Sequence, residues 1–250
     1  MDQNKNTKWQ DSWDNYESDL VVNYDFLHNI AIPKRAENLT LFQDYSEFIP
    51  NRKKRFLDLG AGTGAAAFSV LQKYSDAKAI LIDGSKPMLE QAQKEADIKG
   101  YSIKTIYQDL SKRDWIKKCD LKSEFPLIIS SFMIHHLTDK EKARFFKDLY
   151  HLLVPSGRFL YADVVKMETK EQEDTCFDFW INEIIKNKIA NRIKPRSFDI
   201  EKNSLIIDME KQGDMPATIS FILKSLKNAG FKKSIMIWFY LKFAMFLAIK

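Results

Sequence analysis

The sequence predicts an open α/β fold built on a mostly parallel sheet, and three observations carry that prediction. A buried strand, a three-glycine turn and a helix start are compressed into the sixteen residues from Arg55 to Val70. Further apolar runs follow at intervals, and several of them end in an acidic residue. The chain closes on a helix, an Ala229-Gly230-Phe231 step and two runs rich in β-branched and aromatic residues.

Phe56, Leu57 and Leu59 form the continuous apolar run of a strand covered on both faces, and Ala65 to Val70 starts a helix free of breakers. Gly60, Gly62 and Gly64 permit positive φ between them and leave room for a ligand against the main chain, where the helix start offers free N–H donors. The glycines alone also fit the G-x-G-x-x-G/A turn of a nicotinamide or flavin site, with Ala65 in the last place. Asp58 tips the balance. A carboxylate at that strand end suits a cationic amino group and would repel a pyrophosphate.

The pattern of Asp58, Gly60, Gly62 and Gly64 resembles motif I (E/D-x-G-x-G-x-G) of the class I S-adenosylmethionine-dependent methyltransferases, whose cofactor carries an amino group and a sulfonium but no phosphate. Lys78 to Ile82 is a second strand, running into Asp83-Gly84-Ser85-Lys86-Pro87-Met88-Leu89, which resembles that family's D-x-S-x-x-M-L. A helix from about Lys86 to Ile98 and a third strand, Ser102 to Tyr107, lead to Gln108-Asp109-Leu110. The fourth strand, Leu127 to Ser131, enters Phe132-Met133-Ile134-His135-His136-Leu137, similar to the family's loop beside the transferred methyl. Leu152 to Tyr161 resembles its L-x-P-G-G-x-L turn, with Ser156 replacing one glycine. The likeness is specific from about Arg55 to Asp163 and looser to the C-terminus.

The resemblance implies a Rossmann-like methyltransferase fold, a seven-stranded and mostly parallel sheet with an antiparallel last strand. It implies S-adenosyl-L-methionine as cofactor, with Asp58, Gly60, Ala61, Gly62 and Gly64 at the turn. Asp83 would take the ribose hydroxyls beside Gly84 and Met88. Asp109 would accept from the adenine amine, with the Leu110 N–H on a ring nitrogen and Ser130 and Ser131 closing the strand-four side. Alone, Asp83 or Asp109 reads more often as a cap or loop residue; together, each at a strand's carboxyl end, they sit where open α/β sheets bind ligands.

Two segments lie outside the bare core. Residues 1–50 read as an N-terminal helical arm carrying Trp9, Trp13, Tyr16, Tyr24 and Phe26, and residues 51–250 as the cofactor-binding domain with a cap insertion at about 166–214. Aromatic residues in the arm mostly pack helices onto a sheet, yet Tyr16 and Tyr24 lie where related enzymes place a lid tyrosine. In the insertion, Phe177, Phe179, Trp180, Ile184, Ile185 and Ile189 recur at helical spacing and imply one apolar face. Phe132 and Trp180 join the two tyrosines as candidates for the substrate pocket and lid.

His135 and His136 are the candidates for a general base, because imidazole titrates near working pH, and adjacent side chains usually diverge so that at most one faces the pocket. His135 is the first choice as base, and the alternative for both is that they shape the loop or pair with backbone. No Cys or carboxylate stands at ligand spacing around them, so no metal is expected. Cys119 and Cys176 make neither a disulfide framework nor a metal motif, the first ten residues hold no secretory signal, and Ile235 to Ile249, interrupted by Lys242, is too short to span a bilayer. A cytoplasmic protein without membrane contact is expected.

The net charge of +5 and pI near 8.9 are modest. The run from Lys186 to Arg196 fits a solvated helix face better than a nucleic-acid surface. The sequence therefore points to methyl transfer onto a small molecule. The alternatives are a tRNA-wobble-modifying relative that uses a carboxylated cofactor held by Arg192 or Arg196, and a non-catalytic cofactor-binding subunit. Acceptor and oligomeric state, a homodimer included, stay open.

Overall fold

A computed structural model describes residues 18–48, 54–122 and 125–250. Tyr16, Trp9 and Trp13 lie outside the described residues. Helices α1 (Ser18–Ala31) and α2 (Arg35–Tyr45) precede β1 (Arg55–Leu59), and then α3 (Ala65–Lys73), β2 (Lys78–Asp83), α4 (Lys86–Lys99), β3 (Ile103–Tyr107) and α5 (Trp115–Lys118) follow. Next come β4 (Phe125–Ser131), a 3₁₀ turn (Ile134–His136), α6 (Asp139–Leu152) and β5 (Leu153–Val164). Helices α7 (Lys170–Ala190), α8 (Phe198–Gln212) and α9 (Ile219–Ala229) lead to β6 (Lys233–Tyr240) and β7 (Phe243–Ile249).

The seven strands lie in the order β3-β2-β1-β4-β5-β7-β6. β1 to β5 are parallel neighbours, while β7 runs antiparallel to both β5 and β6. The terminal hairpin expected from sequence is therefore present, with β7 as the reversed strand. Lys242, which interrupts the apolar run, sits at the hairpin turn, buried, with its ammonium on Glu173 of α7. The strand order reverses between β1 and β4, and a crevice opens there at the carboxyl edge.

Alternation along β1 sets the layers. Leu57 and Leu59 face a core with Phe145, Phe146 and Leu149 of α6 and Leu226 of α9, whereas Phe56 faces Phe42 of α2, Leu71 of α3 and Ala92 of α4. Phe42 and Phe56 are fully buried, each contributing roughly 1.5–3 kcal/mol by area. Asp58 points to the same side as Phe56, under the start of α3.

A third cluster joins the arm to the insertion. Ile30 and Ile32 pack with Phe177, Trp180, Ile181 and Ile184 of α7 and with Phe243. The Trp180 indole donates to the Ala31 carbonyl at 2.6 Å, and the Asn187 amide to that of Ile30 at 3.0 Å. The buried face of α7 is narrower than its sequence implies. Phe179 and Ile189 are exposed because they fall off the stripe that Phe177, Trp180, Ile181 and Ile184 present to α1.

Candidate active site

The crevice is built from four strand ends. Gly60 and Gly84 form one wall after β1 and β2, and Tyr107, Asp109, Leu110 and Ser111 another after β3. Met133, His136 and Leu137 follow β4, and Lys112, Thr138, Glu141 and Met215 complete the lining. The Thr138-x-x-Glu141 capping box starts α6 there: the Glu141 N–H donates to Thr138 Oγ1 while the Glu141 carboxylate accepts from the Thr138 N–H.

The glycine turn has the geometry the chemistry asks for. Gly60, Gly62 and Gly64 have φ of 69°, 53° and 87°, the left-handed region that favours glycine. A Cβ on Gly60 would lie 2.3 Å from Met133 Cβ and Cγ. Met133 thus packs directly on the turn, which no other residue would allow.

The carboxylates divide their work. Asp83 Oδ2 accepts from the Gly62 N–H and Oδ1 from the Ser85 N–H, both at 2.7 Å, so it ties the turns after β1 and β2 together. Burial raises its pKa, against the pull of the Gly62, Ser85 and Gly84 amides. Each oxygen retains a lone pair for a ligand hydroxyl. Asp58 is fully buried; Oδ2 accepts from the Ala67 N–H at 3.2 Å, and Oδ1 has no hydrogen-bond partner. Desolvation pushes its pKa up to about 8, opposed by the Ala67 amide and assisted by Asp83. Asp109 is turned onto its own loop, with Oδ1 accepting from the Ser111 N–H and hydroxyl.

Other sequence candidates fall behind these walls. Ser130 is buried and donates to the Leu59 carbonyl at 2.8 Å, bracing β4 on β1. Ser131 is half-buried at the end of β4, Ala61 is half-buried in the turn, and Met88 is buried in α4. Phe132, in the left-handed region at φ 55°, turns its ring edge-on to Phe243, 5.9 Å away. Trp180 is engaged with Ala31 and Phe243, away from the crevice lining.

The arm reaches the turn through Tyr24 and Asp25. Tyr24 Cε1 lies 3.9 Å from the point where a Gly62 Cβ would stand, and Thr63 Oγ1 donates to Asp25 Oδ2 at 2.8 Å. Arg35, buried, pairs with Asp25 and donates to Asn29. His28 stacks on Tyr24 with centroids 3.8 Å apart. Burial and then the Arg35 charge hold His28 down to about 3, so it is neutral. His28 was missed in the sequence, although Tyr24 and His28 stand four apart on one helix face.

The two histidines part roles as adjacent side chains should, but not in the expected sense. His136 lines the crevice, while His135, the first choice as base, is buried and committed. Asp163 accepts from the His135 Nδ1 at 2.5 Å and from its backbone N–H at 2.9 Å. Burial would lower His135, but Asp163 and Asp214 outweigh it and hold it above the usual histidine value. Burial and the neighbouring His135 lower His136, against Asp214. Asp214 arrives from the loop after α8: Oδ1 stands 3.5 Å from His135 Nε2 and 3.3 Å from His136 Nδ1. Ligand spacing in the sequence places no carboxylate beside the pair; the fold delivers Asp214 from far along the chain.

The fixing of that loop was also missed. Lys142, buried on α6, donates to the carbonyls of Leu137 and Met215 at 2.5 Å each, and the Met215 N–H donates to the His135 carbonyl at 2.7 Å. Asp163 had a legible signal, an acid at a strand's carboxyl end like Asp58 and Asp83. Lys142 and Asp214 had none.

The sequence profile of a family described as "Methyltransferase domain" matches residues 56–157. A carboxy-S-adenosyl-L-methionine synthase of Nautilia profundicola is 22% identical over 235 residues, covering 94% of either chain. A demethylmenaquinone methyltransferase of Thermus thermophilus is 28% identical over 153 residues, 58% of this chain and 63% of that one. The solved structure of human N-acetylserotonin methyltransferase in complex with S-adenosylmethionine matches with a TM-score of 0.58 at 15% identity, over 94% of this chain and 56% of the human one. Two further solved proteins are spanned to 60% and 62% of their length, about three fifths.

Proposed function

As the chain belongs to the class I S-adenosylmethionine-dependent methyltransferases, we propose that it transfers the methyl group to a small molecule held in the crevice between Gly60, Asp109 and His136. What carries this reading is the orphaned, buried Asp58 Oδ1 beneath a glycine turn that the arm roofs through the Asp25 to Thr63 hydrogen bond.

These residues fit the cofactor's groups. Asp58 lies under the turn where a cationic amino group would satisfy it, Asp83 keeps lone pairs for ribose hydroxyls, and Asp109 with the Leu110 N–H faces the side suited to adenine. When bound, the cofactor supplies a methyl group on a cationic sulfur. The chain's part is to hold the acceptor opposite that sulfur and exclude water, which alone lowers a displacement barrier substantially. Met133, His136 and Leu137 form the wall on the acceptor side, with Asp214 behind His136. We assign residues 1–50 to a lid and about 166–214 to a cap that anchors it through Trp180.

The small-molecule reading is favoured over a polynucleotide by the basic run. Lys186 pairs with Glu183, and Lys188 and Arg196 both engage the buried Glu201. Those charges are spent within α7 and α8. A second reading, a carboxy-S-adenosyl-L-methionine synthase, is favoured by end-to-end similarity to proteins of that name. Its extra carboxylate calls for a cation at the crevice, and Lys112 is better situated than Arg192 or Arg196, neither of which lines it. Both cysteines are free thiols, and among the described residues no helix is long and apolar enough to cross a membrane; a cytoplasmic location fits the thiols.

The test is the ligand carried through native purification. Mass spectrometry should find S-adenosylmethionine, its homocysteine product or a carboxylated analogue; a nicotinamide or flavin nucleotide would contradict the assignment.

A further inference from the structure

We propose that His135, His136 and Asp214 form a binding site for one divalent transition-metal ion of the zinc class, opening onto the crevice through His136.

One ligand atom from each residue lies within 4.8 Å of the other two. Asp214 Oδ1 stands 3.5 Å from His135 Nε2 and 3.3 Å from His136 Nδ1. Those separations are longer than the about 2.7–2.9 Å to which a charge-assisted hydrogen bond closes. They match the edge of a tetrahedron whose vertices stand about 2.0–2.1 Å from a central ion, roughly 3.3–3.4 Å.

The second observation is Asp214 itself. Its side chain is 9% exposed, and the two imidazole nitrogens, at those long separations, are the groups that face Oδ1. A buried carboxylate held so loosely is costly unless a cation compensates it. The first ligand is also oriented as metal-binding imidazoles are. Asp163 takes the Nδ1–H of His135, so Nε2 is the nitrogen turned towards Asp214 and the one that would ligate an ion on giving up its proton. The supporting backbone is fixed from both sides, by Lys142 on the carbonyls of Leu137 and Met215 and by the Met215 N–H on His135. Asp163 and Asp214 bring two carboxylates against the one Lys142 ammonium, so with both imidazoles as neutral ligands the pocket carries net negative charge for a cation.

Two imidazoles and one carboxylate suit zinc, cobalt, iron or manganese better than magnesium or calcium, which prefer all-oxygen shells. Three protein ligands leave a position open, as sites that act on a ligand do. His136 is the most exposed of the three, at 17%, and lines the crevice beside Met133 and Leu137. The open position therefore faces the acceptor wall. On the methyl-transfer reading, it would take a hydroxyl or thiol of the acceptor, and the ion would lower the pKa of that group; the metal site itself does not depend on that reading.

The test uses the untagged full chain, stripped with chelator and titrated calorimetrically with zinc chloride and, separately, cobalt chloride. One ion per chain should bind, with the visible absorption of four-coordinate cobalt. Asp214→Asn and His136→Gln should each weaken binding at least tenfold, and Asp163→Asn by about 10- to 100-fold through loss of orientation. Circular dichroism and S-adenosylhomocysteine titration on the same samples report folding and the cofactor reading separately. Should a variant not fold, anomalous scattering from zinc-soaked wild-type crystals locates the ion. Absence of stoichiometric binding, an ion found elsewhere, or zinc affinity indifferent to Asp214→Asn in a folded variant would overturn the proposal.

Discussion

Thr63 Oγ1 donates a hydrogen bond to Asp25 Oδ2 at 2.8 Å, joining the glycine turn to the arm helix across 38 residues of chain. The same Asp25 carboxylate neutralises the buried Arg35. Asp25→Ala therefore removes one hydrogen bond and strands a buried guanidinium, a combined loss of about 1–3 kcal/mol. The expected result is weaker S-adenosylhomocysteine binding by calorimetry and faster proteolysis within α1. Thr63→Val, which strands no charge, should cost only about 1 kcal/mol. Equal effects from the two would show that Arg35 has another counter-charge.

Asp58 makes cofactor binding a protonic event. Its pKa of about 8 in the fold, raised by burial from the ordinary carboxylate value of 3.8, leaves it neutral at pH 7. An ammonium group docked against it would expel that proton. Binding at pH 7 should release close to one proton, measured as the dependence of the calorimetric enthalpy on buffer ionisation, and affinity should rise with pH until about 8. Stability of the free protein has the opposite trend: the fold binds more protons than the unfolded chain between about 4 and 8, so stability falls as pH rises through that window. Asp58→Asn should abolish both dependences.

Gly60 and Gly100 separate two reasons for glycine. Both have left-handed φ, 69° and 70°, but a Cβ at Gly60 meets Met133 at 2.3 Å whereas one at Gly100 meets nothing within 4 Å. Gly100→Ala should cost about 1 kcal/mol, the conformational strain alone. Gly60→Ala should cost several-fold more in thermal or denaturant unfolding, because backbone or Met133 has to move. Similar losses at both would mean that Met133 yields freely.

Trp180 tests whether α7 holds the arm. Trp180→Phe keeps the ring in its apolar cluster and deletes only the bond to the Ala31 carbonyl. The expected cost is about 1 kcal/mol of stability, with faster hydrogen exchange at the C-terminal end of α1 and little change at the sheet. Uniform loss of protection would instead mark Trp180 as part of the global core.

What the sequence made legible was local. Gly60 to Gly64, Asp83 and Asp109 announce themselves because a turn built on repeated positive φ, and an acid directly after an apolar strand, are what the ligand edge of an open sheet requires. The terminal hairpin was legible through Gly230 and the β-rich runs around Lys242. Asp214 was not, since its partners stand in the turn after β4 and only the packing of α8 and α9 brings it back. Which of His135 and His136 lines the crevice was not legible for a related reason: Asp163, on the strand next to β4, holds the His135 ring in the interior. Phe179 and Ile189 misled because helical spacing gives a stripe but not its width.

The most direct measurement is calorimetric titration of the full chain with S-adenosylhomocysteine, beside the Asp83→Ala variant. Asp83 joins the two turns and keeps lone pairs for ribose hydroxyls. One binding site per chain is expected, with affinity lowered by about 2–3 kcal/mol, some 30- to 150-fold, when Asp83 is removed from a protein that still folds. Binding of a nicotinamide nucleotide in place of the homocysteine compound, or unchanged affinity in the folded variant, would contradict a cofactor site at these strand ends.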